Sequence, residues 1–157
     1  MTGKAKILVI DDDQTILETL VAALESEGYY VDTAKNGEEA IAKSHSHVYN
    51  VAILDWRLPD TQGTKLLSEL KERTPKMAKI MLTGYPSMEN AMEAVNRRAD
   101  AFLLKPVSIN VLLEKIEELL KLQEEANHYS EAKVVEFIET RTKQVLEAKY
   151  TEKDRSC

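Results

Sequence analysis

The sequence predicts an α/β protein: a doubly wound, five-stranded parallel sheet with a helical extension at its C-terminal end. Three observations predict it. Short apolar runs alternate five times with segments whose apolar residues recur at helical spacing. The runs are continuously apolar, as strands covered on both faces must be. Alternation of this kind places helices on both sides of a mostly parallel sheet.

Each element follows from its residues. KILVI (6–10) is the first predicted strand. Ile16, Leu17, Leu20, Val21 and Leu24 then recur at helical spacing, and Gly28 stops that helix. YVDTA (30–34) is the second strand. NGEEAIAKS begins a helix, because Asn36 and Glu39 have capping-box spacing. VAILD (51–55) is the third strand, and TKLLSELKER after the LPDTQG turn is a helix that must end before Pro75. KIMLT (79–83) is the fourth strand. Ser87 caps a helix over MENAMEAVNRR, and AFLLK (101–105) is the fifth strand. From Ser108 onward, Ile109, Leu112, Leu113, Ile116, Leu119 and Leu120 form an apolar stripe that breaks over QEEANHYS (123–130). The chain is therefore expected to comprise a domain of residues 1–122 and a helical extension or linker over 123–157. Val134, Val135, Ile138, Val145 and Leu146 give that extension a separate helix over 131–149, with a frayed polar end from 150.

Composition narrows the function classes. A chain of 157 residues, 43% hydrophobic and 31% charged, fits one globular domain. No apolar run approaches the roughly 20 residues of a membrane helix, and the N-terminus shows no signal-peptide core. The single cysteine, Cys157, can form no internal disulfide, which fits a cytoplasmic protein. The net charge of −6 offers no basic surface, so no direct nucleic-acid binding is expected. The five glycines are scattered and form neither GxGxxG nor a P-loop, which removes a nucleotide cradle. His45 and His47 have no third ligand nearby in sequence and read as ordinary helix-end residues.

The polar residues at the strand ends carry the chemistry. In an open α/β sheet, ligands bind beyond the carboxyl ends of the strands, at the point where the strand order reverses. The first strand ends in Asp11 and Asp12, the third in Asp55, the fourth in Thr83, and the fifth in Lys105 followed by Pro106. In the flavodoxin-like order 2-1-3-4-5, strands one and three are neighbours. Three carboxylates then converge, flanked by a hydroxyl and an ammonium. Clustered carboxylates either share a proton or take up a hard divalent cation such as Mg²⁺, which favours carboxylate, water and phosphate oxygens. Lys105 and Thr83 favour the cation, because an incoming phosphoryl group needs such partners. Asp55, the single acid on the central strand, is then the nucleophile able to form an aspartyl phosphate. Asp13 is expected to cap the first helix instead.

With VIDDDQ, ILDWRLPDTQG, MLTGYPS and AFLLKP in this order, residues 5–122 resemble the receiver domain of two-component response regulators. The resemblance implies a phospho-acceptor at Asp55. It implies a direct Mg²⁺ ligand at Asp12, an acid acting mainly through water at Asp11, and a further ligand in the Arg57 backbone carbonyl. Thr83 resembles the switch hydroxyl and Lys105 the lysine that pairs with the phosphoryl group, with a cis Lys105–Pro106 peptide. Phe102 stands where the family carries a rotating aromatic. Its turn would reshape the face made by the fourth helix, fifth strand and fifth helix. The implied partners are a sensor histidine kinase or phosphotransfer protein, a downstream protein, and a possible second copy in a homodimer. No enzyme activity is expected beyond self-phosphorylation and self-dephosphorylation.

Single residues depart from the family pattern or speak against competing classes. Arg98 stands where the family has a glycine, at a cost of about 1 kcal/mol if that cap is left-handed. Tyr85 and Arg57 are placed to screen an attacking water, which predicts slow self-dephosphorylation. A phosphatase or phosphotransferase of D-x-D type would need an acid at position 57, where Arg57 stands. An unphosphorylated interaction module leaves the complete acidic set without a use. The alternative output is that of a receiver within a longer response regulator whose effector domain lies elsewhere.

Overall fold

The computed structural model of the chain describes residues 5–70, 76–84, 87 and 99–155. The strands are β1 (Lys6–Ile10), β2 (Tyr30–Ala34), β3 (Val51–Asp55), β4 (Ala78–Thr83) and β5 (Ala101–Leu104). All neighbouring pairs are parallel, and the order is β2-β1-β3-β4-β5, as the sequence predicts. The described helices are α1 (Gln14–Ser26), α2 (Gly37–Ser46), α3 (Gly63–Glu69) and α4 (Ile109–Arg155). The helix expected over 88–98, with Arg98, and also Tyr85, lie outside the described residues.

The continuous apolar runs are explained by burial on both sides. Ile7 and Val9 of β1 pack with Leu17, Leu20 and Leu24 of α1 and with Leu112 and Ile116 of α4. Leu8 and Ile10 face the other way, into a core shared with Ala40 of α2 and Leu66 and Leu67 of α3. Alternate residues of one strand thus feed two cores.

The helix ends follow local chemistry. Asp13 accepts from Thr15 N at 2.9 Å and Ile16 N at 3.3 Å, capping α1 as expected. At the other end Gly28 takes φ 93°, where a side chain would be strained. Gly28 N donates to Glu25 O and Tyr29 N to Leu24 O, which closes the helix with a left-handed turn. Asn36 accepts from Glu39 N at 2.8 Å, as its spacing predicts. The reciprocal half of the capping box is displaced: the Glu39 carboxylate accepts from Lys35 N at 3.2 Å.

A second cap on α2 comes from a distant residue. Asp60, in the turn after β3, accepts from Gly37 N at 2.8 Å and Glu38 N at 2.9 Å. These two bonds hold the Asp60 carboxyl below its ordinary value of 3.8. A depressed folded pKa gives stability that is present above the unfolded value and lost as pH falls through the folded one. Asp60→Ala is therefore expected to cost about 0.5–1 kcal/mol at neutral pH, a modest figure because the carboxylate is exposed. Urea titrations at neutral and acid pH check this: the gap from wild type must narrow in acid.

Four boundaries differ from expectation. β4 begins one residue earlier, at Ala78, and β5 ends at Leu104, so Lys105 is the first residue past the strand. α3 ends at Glu69 with Leu70 as its cap residue. No separate helix covers 131–149; α4 is continuous from Ile109 to Arg155. No glycine or proline occurs in 109–155 to stop it, so the break in the apolar stripe marks a change in burial, not an end of helix. The chain divides into two compact units, Met1–Gln123 and Glu124–Cys157.

Lys79 was not anticipated as a core residue. It is 2% exposed in β4, and its ammonium donates to Leu67 O at 2.8 Å, a carbonyl in the last turn of α3. A cation there sits against the negative, carbonyl-rich end of the helix.

Candidate functional site

The site is built at the carboxyl ends of β1, β3, β4 and β5. Asp11 directly follows β1, and its N–H continues the ladder by donating to Ala34 O at 3.1 Å. Burying Ile7 to Ile10, all at 0–1% exposure, contributes on the order of 6–12 kcal/mol. That outweighs the several kcal/mol needed to bury the Asp11 carboxylate, which the strand carries with it. Asp55 is the last residue of β3 and is half-buried, while Asp12 is exposed.

These acids converge. Asp11, Asp12 and Asp55 each offer a carboxylate oxygen, and the three oxygens lie within 4.8 Å of one another. Among the described residues this is the one cluster of three metal-ligating side chains, and His45 and His47 belong to no such group. Lys105 reaches in from beyond β5, with its ammonium 3.0 Å from both Asp11 Oδ2 and Asp55 Oδ1. The other Asp11 oxygen accepts from Asp13 N at 2.9 Å.

Burial raises the Asp11 pKa, against the opposing bonds from Asp13 N–H and Lys105; the Asp55 charge adds to the rise. Burial also disfavours the Lys105 ammonium, but its bonds to Asp55 and Asp11 and their charge together win, so its pKa is raised. Three carboxylates against one ammonium leave an excess of two negative charges. A hard dication with oxygen preference matches that excess and that donor set.

The remaining predicted residues are placed as follows. Thr83 ends β4 and is fully buried; its carbonyl accepts from Lys105 N at 2.7 Å. The Lys105–Pro106 peptide is cis. Phe102 is half-buried in β5 against the core that contains Leu54 and Trp56. Arg57 is exposed in the turn after β3, paired in an isolated bridge with Gln62. That turn is tied back by Gly63 N, which donates to Trp56 O at 2.7 Å.

Gly63 escaped notice in the sequence, where it reads as an ordinary turn glycine. A Cβ built on it would lie 2.3 Å from the Asp55 carbonyl oxygen. It is glycine because the start of α3 passes against the Asp55 backbone.

A family model described as the response regulator receiver domain matches residues 7–117. The chain belongs to that family. Among solved receiver domains, it is similar to a CheY-like protein from Methanospirillum hungatei. The TM-score is 0.75 at 44% identity, covering 79% of this chain and 99% of that one. A Burkholderia pseudomallei response regulator, solved with a phosphorylated aspartic acid, a calcium ion and citrate, matches with a TM-score of 0.68 at 31% identity. That match covers 78% of this chain and 73% of the other. The transcriptional regulatory protein ResD of Bacillus subtilis is 31% identical over 129 residues, 82% of this chain. The receiver chain spans only about half of ResD's length, 53%. Among the described residues, no helix is long and apolar enough to cross a membrane.

Proposed function

We propose that this receiver domain is a phosphorylation-controlled switch of a two-component system, with Asp55 accepting the phosphoryl group from a sensor histidine kinase or phosphotransfer protein. The observation that carries this reading is the convergence of Asp11, Asp12 and Asp55 on Lys105 at the strand ends. In the transfer, the P–N bond of the donor phosphohistidine breaks as an Asp55 carboxylate oxygen bonds to phosphorus. The imidazole leaves with the electron pair and takes up a proton.

Asp11, Asp12, Asp55 and the Arg57 carbonyl would hold Mg²⁺, which when bound offsets the charge of the acids and of the phosphoryl oxygens. Lys105, already 3.0 Å from Asp55, would pair with a phosphoryl oxygen. The Thr83 hydroxyl would bond another. Its movement would let Phe102 turn and reshape the face at β5 and the start of α4, where a protein partner would dock. The chain's chemistry is then limited to gaining and losing its own phosphoryl group, in the cytoplasm. ResD's greater length favours a second form of the reading, in which the domain belongs to a longer regulator with an output domain.

Incubation with acetyl phosphate and Mg²⁺, followed by intact mass and peptide mapping, tests the proposal. One phosphoryl adduct on the Asp55 peptide is expected, and none in EDTA. An adduct elsewhere, or equal labelling without metal, would sink it. Trp56 supplies an independent readout, since it is 7% exposed, adjoins Asp55 and is the chain's one tryptophan. Its fluorescence is expected to change on saturation with Mg²⁺, and to change much less in Asp55→Asn.

A further inference from the structure

The unit beginning at Glu124 is helix throughout its described length and has no core of its own. Every residue from His128 to Tyr150 is exposed. Val134, Val135, Ile138, Val145 and Leu146 are each 53–57% exposed. At 3.6 residues per turn these five and Thr142 fall within an arc of about 120°. Glu131 and Lys149 lie on the centre line of the same arc, one at each end of the apolar block. An apolar stripe bounded by charges marks a surface that is covered by something.

The arrangement of the stripe says what covers it. It is symmetric about Thr140: Val134 and Leu146 stand six residues to either side, Val135 and Val145 five, Ile138 and Thr142 two, and Glu131 and Lys149 nine. A second copy laid antiparallel, with the two Thr140 residues level, brings Val134 and Val135 against Val145 and Leu146 of that copy. Ile138 then meets Thr142, and Glu131 meets Lys149. A parallel copy would set Glu131 against Glu131 and Lys149 against Lys149. The broader charge has the same sense. Residues 124–139 hold five glutamates and one lysine, whereas 140–155 hold five Lys/Arg and three acids. Antiparallel overlap places the acidic half of each copy on the basic half of the other.

We propose that the helix from Glu124 onward is a homodimerisation element that pairs antiparallel with a second copy about Thr140. The pair is isologous, so each contact occurs twice. It does not depend on phosphoryl chemistry at Asp55.

Sedimentation equilibrium of the full chain carrying Cys157→Ser is expected to show a reversible monomer–dimer equilibrium. Ile138→Asp should leave the chain monomeric with its helical circular dichroism kept, because Ile138 is exposed within one chain. Glu131→Lys turns two attractive contacts into two repulsive ones and should weaken the dimer about tenfold. Adding Lys149→Glu should restore it. Direction is read by oxidation: Glu131→Cys with Lys149→Cys should yield a disulfide-linked dimer. Glu131→Cys alone should not, since its two copies lie about 27 Å apart along the helix axis. A dimer indifferent to Ile138→Asp, or one cross-linked by Glu131→Cys alone, overturns the proposal. So does a chain that stays monomeric at high concentration; resistance of residues 124–155 to protease would then assign the stripe to the first unit of the same chain.

Discussion

Asp55→Asn is expected to lower phosphoryl uptake from acetyl phosphate by at least about a thousandfold while leaving the folded state as stable or more so. The chemical half rests on the nucleophile. A carboxylate oxygen can attack phosphorus and carry the product charge; a carboxamide oxygen is far weaker, and no neighbouring acid occupies the same strand position. Asp11 is a poor substitute, because it is 2% exposed, with one oxygen bonded by Asp13 N and the other by Lys105. The stability half rests on charge. Asp55 contributes to the raised pKa of Asp11, and Lys105 is shared between the two acids. Removing the Asp55 charge relieves that repulsion and leaves the Lys105–Asp11 pair intact. In metal-free buffer the variant should melt at or above the wild-type temperature, and its gain in melting temperature on adding Mg²⁺ should shrink. Intact mass and thermal denaturation with and without Mg²⁺ check both halves. A variant that still labels at the wild-type rate places the acceptor elsewhere.

Gly63→Ala is expected to destabilise the domain by about 2–4 kcal/mol, although it adds one methyl group in a turn. The new Cβ would sit 2.3 Å from Asp55 O, 3.2 Å from Asp55 C and 3.1 Å from Met81 Sδ. The first two are backbone atoms on the central strand, so neither can swing away. Either β3 moves, displacing Asp55, or the first turn of α3 moves and loses the Gly63–Trp56 bond. Gly37→Ala is the matched control. Its Cβ would meet the Thr61 methyl at 2.5 Å, and a side chain can rotate aside. Urea unfolding should show a clearly lower midpoint for Gly63→Ala at an unchanged slope, and a smaller loss for Gly37→Ala. A Gly63→Ala midpoint equal to wild type would mean that the approach of α3 to Asp55 is not tight.

What could be read in the chain depended on how far each signal travels. The five strands and the first three helices announced themselves because apolar spacing, Asp13, Asn36 and Gly28 act within a few residues. The order of acids, hydroxyl and lysine at the strand ends was legible for the same reason. The C-terminal extension was misread as a separate helix because its stripe shifts face, and periodicity reports burial better than it reports helix ends.

By itself, then, the sequence determined a doubly wound sheet with Asp11, Asp12, Asp55, Thr83 and Lys105 at the ends of its strands. Only the tertiary structure decided how those groups are shared and what holds them. It showed that Lys105 bridges Asp11 as well as Asp55, across 94 residues in the first case. It showed that Asp60 caps a helix 23 residues back, and that Lys79 is buried to serve a carbonyl of α3. It also showed that Gly63 lies against the Asp55 backbone. The physical reason is common to all four. Each depends on a distance between atoms far apart along the chain, and such distances exist only once the strands have paired and the helices have packed on them.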